Sequence, residues 1–193
     1  FNRDFLYKRT FQVPSTMKGK RILLNFDGIN WKAMVVLNGK QVGRIEGAFM
    51  RGQFDITDYL QEGDNELLVY VQNNDNPGAR KTKTGENTSF NGGVLGGDNP
   101  TFHATRGWDW ITTIPGREVG IWNDVFLTAT EAVTISDPLV NTTLADGKAT
   151  MTPSVFVKNH LSTPVQGTLR GNIGDICFEK EVILGANSET EIV

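Results

Sequence analysis

Apolar and polar residues alternate with a period of two along most of this chain, the spacing that puts every second side chain on one face of a β-sheet. In the first segment Phe5, Tyr7, Phe11 and Val13 share one face, and Leu6, Lys8, Thr10 and Gln12 lie opposite. Ile22, Leu24 and Phe26 then alternate with Arg21, Asn25 and Asp27. Residues 33–37 read as a strand that turns at Asn38-Gly39 into a second strand through Val42. Asn-Gly supplies the positive φ angles that a two-residue hairpin turn needs. Residues 67–71 form another apolar strand, entered through Glu62-Gly63-Asp64-Asn65, and residues 121–128 form the last strand of this stretch. Helical signals are scarce. In Asp55-Ile56-Thr57-Asp58-Tyr59-Leu60, Thr57 or Asp58 is placed to cap a single turn that Gly63 ends. Short strands separated by turn residues, without amphipathic helices between them, predict an all-β antiparallel sandwich.

Residues 73–107 break the alternation. Asn73-Asn74-Asp75-Asn76-Pro77-Gly78 opens a stretch rich in Gly, Asn, Thr and Lys that runs into Phe102, Trp108 and Trp110. An irregular insertion of this length in a compact domain is either functional or disordered, and its aromatic end favours packing against something. A seam falls at residues 131–137. Beyond it strands are expected at 133–136, 150–158, 165–173, 176–182 and from Glu189 onward, with turns at Asp146-Gly147, 159–164 and Gly185-Ala186-Asn187. About sixty residues hold four or five strands, whereas an immunoglobulin-like sandwich takes roughly 100 residues and seven strands. The organisation predicted is a sandwich over residues 1–131 and a truncated, partial second sandwich over 132–193. An incomplete sandwich leaves strand edges that tend to find another chain, so homo-oligomers through exposed edges, or poor order towards Val193, are expected.

With 38% hydrophobic and 21% charged residues, the 193-residue chain carries enough apolar material for a packed core. Its net charge of −3 provides no basic field for duplex nucleic acid, which removes that class of partner. No apolar run approaches the roughly 20 residues that a membrane-spanning helix requires. No signal peptide is visible and the first residue is Phe1, so a processed or excised piece of a longer protein is expected. The single Cys177 excludes an internal disulfide framework and a Cys-based zinc site. One unpaired thiol suits a bacterial periplasm as well as a cytoplasm.

Catalytic chemistry is hard to find. His103 and His160 lie in different units and make no metal-ligand pair, and no Gly-x-Ser-x-Gly turn marks a nucleophile. Gly92-Gly93 and Gly96-Gly97 lack the Lys-Ser/Thr and the helix of a phosphate loop. Glu118 beside Arg117 reads as an ion pair or rim residue, and no spacing of the Asp-rich turns singles out calcium ligands. Asn87-Thr88-Ser89 and Asn141-Thr142-Thr143 match the N-glycosylation acceptor pattern. No catalytic residue, metal or cofactor is assigned. The informative run is Gly107-Trp108-Asp109-Trp110. Aromatic rings flanking a carboxylate suit a sugar, whose C–H faces stack on indole while its hydroxyls donate to the carboxylate. The competing reading makes Trp108 and Trp110 packing residues and puts Asp109 in a turn. Trp122, on an alternating strand, reads as packing.

Several ordered motifs carry a resemblance. The opening Phe5-Leu6-Tyr7-Lys8-Arg9-Thr10-Phe11-Gln12-Val13-Pro14 is similar to the first strand of the N-terminal sugar-binding domain of glycoside hydrolase family 2. Phe26-Asp27-Gly28-Ile29-Asn30 through Leu37-Asn38-Gly39-Lys40 and Val42-Gly43 resembles its central hairpin. Glu46-Gly47-Ala48-Phe49, Phe54-Asp55-Ile56-Thr57-Asp58-Tyr59-Leu60, Gly63-Asp64-Asn65-Glu66-Leu67 and Gly120-Ile121-Trp122-Asn123-Asp124-Val125 follow in the same order. The resemblance covers about residues 5–128 and implies a jelly-roll, galactose-binding-like sandwich followed by an immunoglobulin-like one. It further implies a C-terminal (β/α)₈ barrel in the parent chain, whose two glutamates hydrolyse a β-glycoside with retention. The run at 107–110 looks like the corresponding loop of β-mannosidases and exo-β-glucosaminidases. By that likeness Asp109 accepts hydrogen bonds from the terminal β-linked sugar, and Trp108 and Trp110 line the same place.

Three functions follow. The leading one is a non-catalytic accessory part of an exo-acting β-glycosidase, helping to shape its active site, in the periplasm or outside the cell. The second is a stand-alone carbohydrate-binding module, and the third a structural or adhesion sandwich.

Overall fold

The computed structural model describes residues 3–73 and 119–193, together with the backbone of 79–80 and 94–95. Among the described residues every long element is a strand, and the chain divides into two compact units, Phe1–Ala129 and Thr130–Val193.

The first unit contains β1 (Phe5–Phe11), β2 (Arg21–Phe26), β3 (Ile29–Asn30), β4 (Lys32–Leu37), β5 (Lys40–Glu46), β6 (Gly52–Asp55), β7 (Asn65–Gln72), β8 (Ala79–Arg80), β9 (Val94–Leu95), β10 (Gly120–Ile121) and most of β11 (Val125–Thr130). One sheet has the order β1-β7-β4-β5 and the other β11-β2-β6, and β10-β3 and β8-β9 form two further pairs. Between the two larger sheets lies a core of Leu24 and Phe26 from one side and Val35, Leu37, Val69 and Val71 from the other. The Phe26 and Phe54 rings meet edge to face at 6.1 Å, a favoured aromatic geometry. This is the all-β antiparallel sandwich that the alternation predicts.

The local expectations fare unevenly. Asn38 and Gly39 adopt φ of 50° and 78° and join β4 to β5, the primed turn that Asn-Gly favours. The second strand of that hairpin runs to Glu46, past the expected Val42. The predicted turn at 55–60 is a 3₁₀ turn, Thr57–Tyr59, but neither Thr57 nor Asp58 caps it. Asp55 instead accepts the Thr57 amide and hydroxyl, and Thr57 Oγ1 accepts the Ile22 amide. The expected strand at 121–128 is in fact two, β10 and β11, separated by Trp122-Asn123-Asp124. β2 departs from simple alternation, because Leu23 and Asn25 are buried as well as Leu24 and Phe26. Asn25 is accommodated by full bonding: it donates to Thr128 Oγ1 at 3.0 Å and accepts from Gln53 Nε2 at 2.9 Å.

The second unit contains β12 (Val133–Ala145), β13 (Lys148–Asn159), β14 (Val165–Ile173), β15 (Ile176–Leu184) and β16 (Glu189–Ile192). β12, β13 and β16 form one antiparallel sheet, and β14 with β15 forms a hairpin. β12 continues well beyond the expected Ser136, through a register irregularity between Ser136 and Leu139 that Pro138 occupies. Among the described residues of this unit Val157 and Leu184 are the buried apolar side chains, while Ile135, Leu139, Ile176 and Ile183 are exposed. His160 belongs here, with Nε2 2.9 Å from Thr134 Oγ1 and its amide bonded to the Ala132 carbonyl, a structural setting.

Candidate functional site

Trp108, Asp109 and Trp110 lie outside the described residues, as do His103, Glu118 and the paired glycines at 92–97. What the structure does describe is the framework from which that segment departs and to which it returns. Register places it: Lys32 on β4 pairs with Gln72 on β7 and with Glu46 on β5, and Asn30 pairs with Gly120. Asn73, Trp31, Gly47 and Val119 therefore all sit just past the same end of the first unit.

The outgoing side is tied by a carboxylate. Asp4 accepts the Asn73 amide through Oδ1 at 2.8 Å and the Tyr70 hydroxyl through Oδ2. The Asn73 amide, with the Tyr70 hydroxyl, holds the Asp4 carboxyl below its ordinary range, and the same contact with Asp4 raises the Tyr70 phenol.

The returning side is tied more tightly. β10 pairs with β3 through Gly120↔Asn30 and Ile121↔Ile29. Gly120 has φ +140°, a conformation that favours glycine, and a Cβ there would fall 2.3 Å from Tyr7 Oη, so a side chain would also have to push the phenol aside. The Trp122 amide donates to the Gly28 carbonyl at 3.1 Å, and the Asp27 amide to the Asp124 carbonyl at 3.0 Å. The indole lies against Gly28, where a Cβ would come within 2.3 Å of Cε2, and its Nε1–H donates to the Ala48 carbonyl at 3.2 Å. Trp122 is 43% exposed, so it packs on the surface of this end and not within the core. Elsewhere in the first unit Arg51 Nε stands 3.4 Å from Asp27 Oδ1, and the Lys32 ammonium lies 4.6 Å from the Trp31 ring centre. Phe49 and Met50 are exposed on the adjoining turn.

The remaining motif residues build the frame. Asn65 is buried between turns, accepting from Asn38 Nδ2 and the Gln61 amide and donating to the Gln61 and Gly63 carbonyls. Asn38 also bonds Glu66 and Tyr59, which locks the β4–β5 turn to the entry of β7. Alternation alone does not reveal this role, although Asx-rich turns signal it. Among the described residues no group of three His, Cys, Asp or Glu is placed to hold a metal ion, and no helix is long and apolar enough to cross a membrane.

The sequence profile of the glycosyl hydrolase 2 galactose-binding domain-like family matches residues 1–123. An exo-β-D-glucosaminidase of Streptomyces avermitilis is 28% identical over 200 residues, covering all of this chain and 19% of that protein. A mannosylglycoprotein endo-β-mannosidase of Lilium longiflorum is 36% identical over 134 residues, covering 69% of this chain and 14% of the relative. The chain thus spans about one fifth or less of these relatives. Among solved structures, a β-galacturonidase of Eisenbergiella tayi superposes over the whole chain and 29% of its own length, with TM-score 0.69 and 17% identity. The exo-chitosanase CsxA of Amycolatopsis orientalis matches 99% of the chain and 20% of its own length, at TM-score 0.65 and 22% identity. Those likenesses speak to the fold, and the profile match over most of the first unit decides the rest: this chain belongs to the glycosyl hydrolase 2 galactose-binding domain-like family.

Proposed function

We propose that the chain is the N-terminal, non-catalytic part of a family 2 retaining exo-β-glycosidase and helps to shape that enzyme's site for the terminal sugar. The observation that carries this reading is the bonded end of the first unit. There Asp4 and Trp122 tie both ends of the segment that contains Trp108-Asp109-Trp110. In this role Asp109 accepts hydrogen bonds from hydroxyls of the terminal β-linked sugar, and Trp108 and Trp110 pack beside it. The two carboxylates of the hydrolysis belong to a (β/α)₈ barrel elsewhere in the parent chain. The second unit is the first part of an immunoglobulin-like sandwich, and the parent enzyme works in the periplasm or outside the cell.

The test is Asp109→Ala in the complete enzyme. Interactions used in the transition state appear in kcat/KM, so a loss of more than about tenfold is expected for the best substrate. An unchanged kcat/KM would hand the segment back to packing. Residues 1–193 alone should release no chromophore from aryl β-glycosides. Micromolar affinity of that piece for oligosaccharides by calorimetry would instead favour the stand-alone module.

A further inference from the structure

We infer that the apolar face formed by Phe49, Met50 and Trp122 is where the first unit docks onto the catalytic part of its own parent chain. The inference rests on the reading of this chain as one part of a larger glycosidase, and it is independent of Asp109. The three side chains share one surface. Phe49 and Met50 are consecutive in the turn between β5 and β6, and the Trp122 Nε1–H donates at 3.2 Å to the carbonyl of Ala48, the residue before Phe49. Phe49 is 66% exposed, Met50 58% and Trp122 43%.

The backbone beneath this face is firmly built. Ala48 is buried, the Gly47 amide donates to the Trp31 carbonyl at 2.9 Å, and the Met50 amide donates to the Gly47 carbonyl at 3.3 Å. A Cβ on Gly47 would fall 2.8 Å from Met50 Cγ, so the Met50 side chain rests on that glycine as the indole rests on Gly28. More than half of the Phe49 and Met50 surface nevertheless stays in water, so the fold gains little from burying them. A contiguous apolar patch held in this way marks an interaction surface. Its composition selects a protein partner, because aromatic residues, Met and Arg are the side chains enriched at protein interfaces. Arg51 follows Met50 and already stands 3.4 Å from Asp27, so covering it strands no lone cation. The flexible thioether of Met50 suits an irregular apolar surface and offers no flat face to a pyranose. The length of the relatives selects which protein. The chain covers 19% of the Streptomyces avermitilis enzyme and 14% of the Lilium longiflorum one, so most of the parent chain has still to pack against something. A partner tethered in the same chain is present at high effective concentration, and a modest patch then suffices where a second copy would have to bind from solution.

Met50 reports on its own cover, because peroxide converts an accessible thioether to the sulfoxide. In the complete, monomeric enzyme, mass spectrometry should find Met50 oxidised about tenfold more slowly than free methionine added as an internal standard. Phe49→Glu/Met50→Glu in the same enzyme should open the first unit to trypsin about tenfold faster than in the wild type, since cleavage follows the population of the undocked form. Oxidation of Met50 as fast as the standard, in an enzyme that hydrolyses aryl β-glycosides, overturns the inference and leaves the functional reading standing. Protection that vanishes on dilution to monomer also overturns it and gives the face to a second copy. Protection that appears only with added glucosamine or mannose oligosaccharides overturns it in favour of a sugar. A complete enzyme inactive on aryl β-glycosides sinks the functional reading and takes the inference with it. Should the double variant fail to fold, the peroxide measurement on the unaltered enzyme decides the matter by itself.

Discussion

Two buried asparagines show how single residues discipline turns that no strand pattern describes. Asn65, fully buried, has both ends of its amide engaged, and Asn159 plays the same part in the second unit. There Nδ2 donates to the Thr163 and Gly185 carbonyls and Oδ1 accepts the Leu161 amide. Removing such an amide leaves buried partners unpaired, at a cost of about 1–3 kcal/mol for each group stranded. Asn65→Ala is accordingly expected to lower the unfolding free energy by at least about 2 kcal/mol, measured by urea denaturation with unchanged slope. An effect near zero would mean that water satisfies the Gln61 and Asn38 groups. At this scale the sequence was readable only where backbone chemistry is local. Asn38-Gly39 announced its turn because its φ preference is intrinsic, whereas Asn25 looked like a solvent-facing residue and is in fact buried.

At the scale of elements, the strand expected over 121–128 is broken in two. The Trp122 amide is spent on Gly28 and the Asp124 carbonyl on Asp27, so the chain changes partners between β10 and β11. Nothing in a period-two pattern marks where a strand changes partner. The 57–59 turn offers a second case, because its start is held by Asp55 from the end of β6. Burial of the Asp55 carboxyl opposes its ionisation, but the Thr57 hydroxyl and amide and the Arg21 guanidinium together outweigh it and depress its pKa. A depressed carboxylate contributes stability above its unfolded-state pKa and loses it as pH falls through the folded one. Acidification below about pH 4 should therefore lower the melting temperature of this chain. Asp55→Asn should make that decline shallower, and an identical pH profile for the variant would show that the pairing contributes nothing.

The whole molecule is two units that differ in how much of their apolar surface they bury. The first closes a core between two sheets. The second leaves Ile135, Leu139, Ile176 and Ile183 exposed and ends its three-stranded sheet on the four-residue β16. Exposed apolar strands invite pairing with another chain. Residues 1–193 should self-associate with concentration in sedimentation experiments, and Ile135→Lys with Leu139→Lys should reduce it. A monomer at all concentrations would remove the expectation of homo-oligomers through these edges.

Alternation and Asx-Gly chemistry were enough to determine the all-β class, the hairpin at 38–39 and most strands of the second unit. Each of these depends on the preferences of neighbouring residues along the chain. The ordered motifs were likewise enough to point to the family. Only the tertiary structure decided that Asn25 is interior, that Trp122 joins two turns instead of filling a core, and that Asp4 and Asn73 meet across sixty-nine positions. Those are contacts between segments far apart in the chain, and a one-dimensional pattern carries no record of which distant backbone a side chain will reach.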